Sequence, residues 1–350
     1  MVLKFDSLPD LYAHEFDTVI DVRSPAEFDE DHLPGAISLP VLDNEERARV
    51  GTIYVQESPF LARKLGAALV FRNAANHIEN NLSHHEGGWR PLVYCWRGGQ
   101  RSGSFTWMLQ QIGWRAEVVE GGYRSYRRLV KRYLYDDPLP HHLIALDGYT
   151  GTAKTELLVH LAARGVQILD LEGLANHRGS LLGDMPGGQP SQKAFESALS
   201  SALCRLDMSR PVVVEAESSK IGSLILPPTL WAALRQAPRI QVTASIQARS
   251  NYLVSAYDDV LSDSDRLRDR LSPLRFHRGH DVVDGWLDMI EAGNKRALTQ
   301  ALIEQHYDPA YAKSARVRSS EVIANIHASA LDHAGVSATA AQIDAILDQV

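Results

Sequence analysis

Leu92-Val93-Tyr94-Cys95-Trp96-Arg97-Gly98-Gly99-Gln100-Arg101-Ser102 decides how the first half of this 350-residue chain is read. A short apolar strand ends at a cysteine, a Gly-Gly pair follows, and Ser102 opens a helix predicted over 105–111. The glycines let successive backbone N–H groups turn inward, and the helix N-terminus adds positive potential. Arg101, six positions after the cysteine, adds a guanidinium. Cys95 is therefore expected as a thiolate at the base of an anion cradle made by Arg97, Gly98, Gly99, Gln100 and Arg101. The other cysteine, Cys204, lies among Phe195, Leu199, Leu203 and Leu206 and reads as a core side chain.

Working outward, strands and helices alternate. Thr18-Val19-Ile20-Asp21-Val22 is a strand, and Ser24-Pro25-Ala26-Glu27-Phe28 carries an N-cap, a proline at the first helical position and an early acid. Glu117-Val118-Val119 is a further strand, stopped by Gly121-Gly122. The pattern predicts an α/β domain with a parallel sheet. Asp136-Asp137-Pro138-Leu139-Pro140 reads as a linker.

A second apolar strand, 143–147, then runs into Gly148-Tyr149-Thr150-Gly151-Thr152-Ala153-Lys154-Thr155 and a helix reaching Leu161. Strand, glycine-rich loop and helix are the context of a P-loop. Backbone N–H groups of Gly148, Thr150, Gly151, Thr152 and Ala153 are expected to wrap a diphosphate, with Lys154 neutralising it. Thr155 is placed to reach a Mg²⁺ ion where one is bound. Ala153 stands where a glycine is usual, and tolerates helix-start dihedrals at the expense of a tighter fit. Glu215, ending the apolar run Val212-Val213-Val214, stands where a Walker-B acid would. Further strand and helix patterns are predicted over 241–245 and 287–305. The expected organisation is a first α/β domain over 1–136, a parallel α/β P-loop domain over 137–318, and a helical tail over 319–350. In that tail Ile323, Ile326, Leu331, Ile343 and Leu347 mark one or two amphipathic helices.

The formal charge of −7 argues against a global attraction to nucleic acid but leaves room for a local basic face. Arg124, Arg127, Arg128, Lys131 and Arg132, interleaved with Tyr123, Tyr126 and Tyr133, suit a single-stranded RNA loop. A solvated helix face is the plainer reading of the same run. Arg266, Arg268, Arg270, Arg275 and Arg278 form a second basic cluster. His177 and Arg178 sit in a glycine-flanked loop that suits a diphosphate or RNA. His277 and His280 lack a third ligand nearby, so neither a metal site nor a tightly bound cofactor is expected. Two distant cysteines suit a reducing cytoplasm, and no apolar run approaches the ~20 residues that span a bilayer.

Residues up to about 135 resemble a rhodanese-like domain. The resemblance rests on Asp21-Val22-Arg23-Ser24 with Glu27-Phe28, on His32-Leu33-Pro34-Gly35-Ala36-Ile37 with Pro40, on the cysteine loop, and on Val119-Glu120-Gly121-Gly122-Tyr123. In rhodaneses the loop cysteine carries a transferable sulfur, and the arginine commonly follows five positions later. The spacing of six is shared with tyrosine-phosphatase-like loops, and a wider cradle suits a tetrahedral phosphate or a selenium species.

Over residues 15–316 the chain resembles the tRNA 2-selenouridine synthase family. The shared motifs include Pro40-Val41-Leu42 with Glu46-Arg47, Val50-Gly51-Thr52, and Ala62-Arg63-Lys64-Leu65-Gly66-Ala67. They continue with Leu171-Glu172-Gly173, Asn176-His177-Arg178-Gly179-Ser180, Gln189-Pro190-Ser191-Gln192, Glu215-Ala216-Glu217-Ser218 and His306-Tyr307-Asp308-Pro309 with Tyr311. The resemblance implies a tRNA substrate whose wobble uridine, in the anticodon loop, already carries sulfur at position 2. It implies two co-substrates, geranyl diphosphate for S-alkylation at the P-loop and selenophosphate for exchange of S-geranyl by selenium. Cys95 would act in the exchange as a perselenide. A selenophosphate-supplying enzyme is then a natural partner, and a membrane is not. Residue chemistry alone leaves other classes open. One is a plain sulfurtransferase fused to a nucleotide-binding kinase or NTPase. A phosphatase and a non-catalytic RNA-binding module are two more. No stretch of sequence singles out a geranyl pocket.

Overall fold

A computed structural model describes residues 2–315 and 320–349. The chain forms two compact units. The first takes Met1–Pro138 together with Pro190–Arg205; the second takes Leu139–Gln189 and Leu206–Val350. Residues 190–205 therefore depart from the sequence-based division at 136/137. They form the helix Gln192–Cys204, which buries Phe195, Leu199 and Leu203 in the first unit. The division expected at 318/319 lies outside the described residues.

The first unit is built on a parallel sheet in the order β1-β5-β4-β2-β3. Its strands are β1 (Val2–Leu3), β2 (Thr18–Asp21), β3 (Ile37–Ser38), β4 (Pro91–Tyr94) and β5 (Glu117–Val119). With the helix Gln192–Cys204 they are accompanied by α1 (Leu8–Tyr12), α2 (Pro25–Glu30), α3 (Asn44–Gln56), α4 (Pro59–His77), α5 (Gln100–Ile112) and α6 (Gly122–Lys131). All four residues of β4 are buried, as expected of a central parallel strand covered on both faces. The Asp21–Arg23 pair is fully enclosed, with Arg23 Nη2 2.6 Å from Asp21 Oδ2 and its guanidinium 3.9 Å from the Tyr123 ring centroid. Arg23 also donates to the Asp31 carbonyl. The charged signature of the first domain is thus a core strut, fully hydrogen-bonded as a buried charge must be.

The second unit carries a parallel sheet in the order β12-β11-β6-β8-β7. Its strands are β6 (Leu143–Gly148), β7 (Gln167–Leu169), β8 (Val212–Glu215), β11 (Arg239–Ala244) and β12 (Val322–Ala328). An antiparallel ribbon, β9 (Lys220–Ile221) with β10 (Leu224–Ile225), turns at Gly222. Helix α7 (Lys154–Ala162) follows the glycine loop, and α8 (Leu171–Ala175) follows β7. The C-terminal region corrects one expectation. Ile323 and Ile326 lie on β12, which pairs in parallel with β11, and not on a helix. Their i, i+3 spacing imitates a helix, but the β-branched run Val322-Ile323 fits a pleated edge. The helix His333–Leu347 does form, capped by Asp332, and buries Val336, Ala340, Ile343 and Leu347 along one stripe. Among the described residues no helix is long and apolar enough to cross a membrane.

Candidate active sites

The cysteine cradle stands where the sequence places it. Cys95 follows β4 and is 3 % exposed, and its Sγ accepts a hydrogen bond from Ser102 Oγ at 3.1 Å. The loop is pinned from behind by the N-terminus of α6. Tyr123 N donates to the Cys95 carbonyl at 2.8 Å and Arg124 N to the Trp96 carbonyl at 3.1 Å. This approach needs glycines. Gly98 and Gly122 have φ of +63° and +56°, and a Cβ on Gly122 would fall 2.1 Å from the Cys95 carbonyl oxygen. Arg97, Gly99 and Gln100 are exposed.

Arg101 has a partner the sequence reading missed. Its Nη1 lies 3.0 Å from Glu27 Oε2, and Arg47 Nε lies 3.8 Å from the same oxygen. Burial alone would raise the Glu27 pKa, but the Arg101 hydrogen bond and charge, with the Ser24 donors, hold it below the usual carboxylate range. Glu27 is the N3 acid of the Ser24 capping box on α2. In the sequence Glu27 shows only as the acid of that Ser-x-x-Glu spacing and of the Glu27-Phe28 motif, neither of which marks it as a partner of Arg101.

The P-loop runs from β6 into α7. A Cβ on Gly148 would meet the Val242 carbonyl at 2.5 Å and Thr152 Oγ1 at 2.8 Å, so the strand-to-loop turn admits no side chain. Thr152 Oγ1 donates to the Tyr149 carbonyl, and Lys154 Nζ donates to the Gly148 carbonyl at 3.1 Å. Ala153 does not adopt the helix-start dihedrals expected of it. It sits in the left-handed region at φ 57° and ψ 34°, where a side chain costs about 1–2 kcal/mol. Arg249, almost fully buried, braces the loop: Nε donates to the Thr150 carbonyl at 2.9 Å while the two terminal nitrogens hold Asp308. Asp147 ties the strand end to Arg239 and to Tyr311 Oη.

A pocket of about 590 Å³ opens on the loop, lined by its residues 150–155. Glu215 is not among its walls. The carboxyl is fully buried, with Oε2 accepting from Leu171 N at 3.1 Å. Burial, and then the Asp170 charge, push its pKa well up. Two residues further along, Glu217 reaches the pocket and hydrogen-bonds Glu172, which in turn accepts from Thr155 Oγ1 at 2.8 Å. A Cβ on Gly179 would lie 2.4 Å from Glu172 Oε1 and 3.0 Å from Glu217 Oε1, so both carboxyls converge on that glycine. Burial first, and then the Glu172 charge, raise the Glu217 pKa to about 8 against the opposing pull of Lys154. The acid that faces the P-loop is Glu217 with Glu172, and Glu215 is a core anchor for α8. Both acids lie in motifs, but the strand tip at Glu215 drew the reading away from them.

His177 and Arg178 line this pocket. His177 Nδ1 accepts from Gly179 N, and Arg178 holds Asp259 through two nitrogens and lies 4.8 Å from the Tyr257 ring centroid. The same pocket is also lined by Leu181, Met185, Tyr252, Leu253, Tyr257 and Tyr307, with Leu253 packed against the loop at Gly151. His306 completes it, lowered to a pKa of about 4 by burial and the neighbouring Arg278, and so neutral at physiological pH.

The basic residues expected to meet RNA divide. Arg124, Arg128, Lys131 and Arg132 are exposed, the last donating to the Asp6 carbonyl. Arg127 is an internal strut between Glu196 and Asp31. Tyr123 and Tyr126 face the core, with Tyr123 Oη donating to Asp31 Oδ2 at 2.7 Å, so they are not the base-stacking rings the interleaving suggested. In the second cluster Arg270 pairs with Asp184, Arg275 with Asp284, Arg268 with Asp265 and Glu291, and Arg278 donates to His306.

Known proteins match most of the chain. A family profile described as "Rhodanese-like domain" matches residues 6–129, and one described as "tRNA 2-selenouridine synthase AAA domain" matches residues 141–269. A protein of Nitrosomonas europaea named tRNA 2-selenouridine synthase is 36% identical over 264 residues, covering 73% of this chain and 68% of that protein. Relatives of the same name from Alcanivorax borkumensis and Hahella chejuensis are 34% and 31% identical. They are matched over 84% and 87% of this chain, and over 88% and 87% of their own lengths.

Proposed function

The chain belongs to the tRNA 2-selenouridine synthase family, and on that premise we propose that it converts 2-thiouridine at the tRNA wobble position to 2-selenouridine through an S-geranyl intermediate. Geranyl diphosphate is alkyl donor at the P-loop pocket, and selenophosphate is selenium donor at the Cys95 cradle. The observation that carries this reading is the composition of the P-loop pocket. The P-loop with Lys154 shares one pocket with Leu181, Met185, Tyr252, Leu253, Tyr257 and Tyr307. That pairing suits an apolar chain joined directly to a diphosphate.

In the first step the uridine sulfur attacks C1 of the geranyl group. The C1–O bond breaks, pyrophosphate leaves with the electron pair, and the base loses its N3 proton. Lys154 and the loop N–H groups stabilise the charge on the leaving group. In the second step the alkylated sulfur is the leaving group. The Cys95 thiolate adds to C2 and geranyl thiolate departs. Selenophosphate then displaces the cysteine, and water cleaves its Se–P bond. This route is redox-neutral, whereas loading the Cys95 thiol as a perselenide from selenophosphate would require an oxidant. Exposed Arg124, Arg128, Lys131 and Arg132 are suited to the phosphates of the anticodon arm.

Mass spectrometry of nucleosides from tRNA incubated with both co-substrates tests the division of labour. Cys95→Ala should accumulate the geranylated nucleoside, and Lys154→Ala should leave 2-thiouridine unchanged. A Cys95→Ala protein that makes 2-selenouridine at the normal rate would sink the assignment.

A further inference from the structure

The first unit holds a cavity that neither its fold nor the cysteine cradle requires. It is a groove of about 1270 Å³ between α3 and α4, running to the first turn of α5. Helix α3 buries none of its residues, yet it presents Val50, Tyr54 and Val55 to this groove, with Val55 82% exposed. Across from them α4 contributes Ala62, Gly66, Ala67 and Val70. A Cβ on Gly66 would sit 3.4 Å from Val50 Cγ1, so the glycine lets Val50 of α3 pack onto α4 there and form part of the groove lining. Apolar side chains left uncovered in a groove of this size call for a ligand.

The two ends of the groove differ in chemistry. One is the exposed apolar stretch around Tyr54 and Val55. The other is formed by Arg101 and Gln100 on α5, with Arg47 close by on α3. Ser102, which donates to Cys95 Sγ, follows Arg101 directly. The ligand must therefore be amphipathic, with an apolar chain in the groove and a polyanionic head toward the cradle. An anion carried on sulfur or selenium alone would need no such groove.

We propose that the α3–α4 groove binds the prenyl chain of an S-prenylated uridine in RNA while the C2 carbon of that uridine stands at Cys95. This rests on the S-geranyl reading above. The Cys95 centre is then selective for the alkylated base over the simple thiouridine, because only the alkylated base fills the groove. The polyanionic head is the RNA, and Arg47 and Arg101 face it at the cradle end.

Selection by chain length is the test. Synthetic anticodon stem-loops carrying S-geranyl- or S-methyl-2-thiouridine are supplied directly to the full-length protein with selenophosphate and without geranyl diphosphate. The wild-type chain should convert the geranyl substrate at least about tenfold faster at limiting concentration, since nine further carbons are buried. Ala67→Trp, which fills the groove from an exposed position, and Val55→Glu, which charges its outer end, should each bring that ratio to within about twofold. Partial unfolding lowers both rates and leaves the ratio unchanged, so the ratio reports on the groove. Retention of the full geranyl preference by both variants would overturn the proposal. So would a wild-type chain that converts both substrates equally. Loss of a dimer in Ala67→Trp, read by sedimentation, would assign the groove to a second copy of the chain. A wild-type chain that converts neither substrate would instead refute the S-geranyl reading itself.

Discussion

Two single residues carry most of the chemistry that the sequence did not disclose. Ala153 was legible as a departure from the usual P-loop, but its backbone conformation was not, because a left-handed φ on alanine is set by the loop around it. Glu217 was quoted only within a motif. Its role depends on the strand β8 ending two residues earlier, which turns Glu215 into the core and leaves Glu217 to meet Glu172 at Gly179. With a pKa raised from 4.5 to about 8, Glu217 keeps its proton in the folded chain over a range where the unfolded chain has lost it. Its contribution to stability therefore falls as pH rises from about 4.5 to 8. Above pH 8 a carboxylate appears beside Lys154 and repels a bound diphosphate. Titration calorimetry with inorganic pyrophosphate should show the affinity ratio of wild type to Glu217→Gln falling up to about tenfold between pH 7 and 9. A ratio flat across that range would remove Glu217 from the site.

Elements were legible where a periodic pattern coincided with burial and illegible where surface and core residues interleave. The run from Gly122 to Lys131 was read as basic side chains with aromatics for stacking. Folded as α6, it sorts into two faces: Tyr123, Tyr126 and Val130 inward, Arg124, Arg128 and Lys131 outward. Arg127 falls between them and is taken by Glu196 and Asp31, both almost fully buried. The face predicts two separable effects. Arg127→Ala strands two buried carboxylates and should cost about 3 kcal/mol or more in denaturant unfolding. Replacing Arg124, Arg128 and Lys131 together by alanine should change stability by less than about 0.5 kcal/mol. It should also lower the slope of log affinity against log salt for an anticodon stem-loop by roughly two. An unchanged slope would place the RNA elsewhere. The α3–α4 groove escaped notice for the opposite reason: α3 has no buried stripe, so nothing in its periodicity marks Val50 or Val55 as special.

At the scale of the whole chain, the parallel α/β class of both halves and the positions of the two anion loops followed from strand–loop–helix patterns, which are local. The excursion of residues 190–205 into the first unit did not, because it depends on contacts such as Tyr12 Oη to Ser200 Oγ, 188 positions apart. The residues described at each anion site nonetheless belong to a single unit. The cradle uses residues 27–124, and the P-loop pocket uses residues 150–307. On the proposed function, substitutions at Cys95 and Lys154 should therefore disable one step each. On the proposed route the intermediate passed between the steps is an entire tRNA, and a contact made through phosphates would leave it in salt-sensitive exchange with solvent. A mixture of Cys95→Ala and Lys154→Ala chains should then restore 2-selenouridine. The first variant supplies geranylated tRNA, and the rate rises with the concentration of the second. If the mixture yields only the geranylated nucleoside while wild type completes the reaction, the intermediate is handed over within one molecule, and the two units act as a channel.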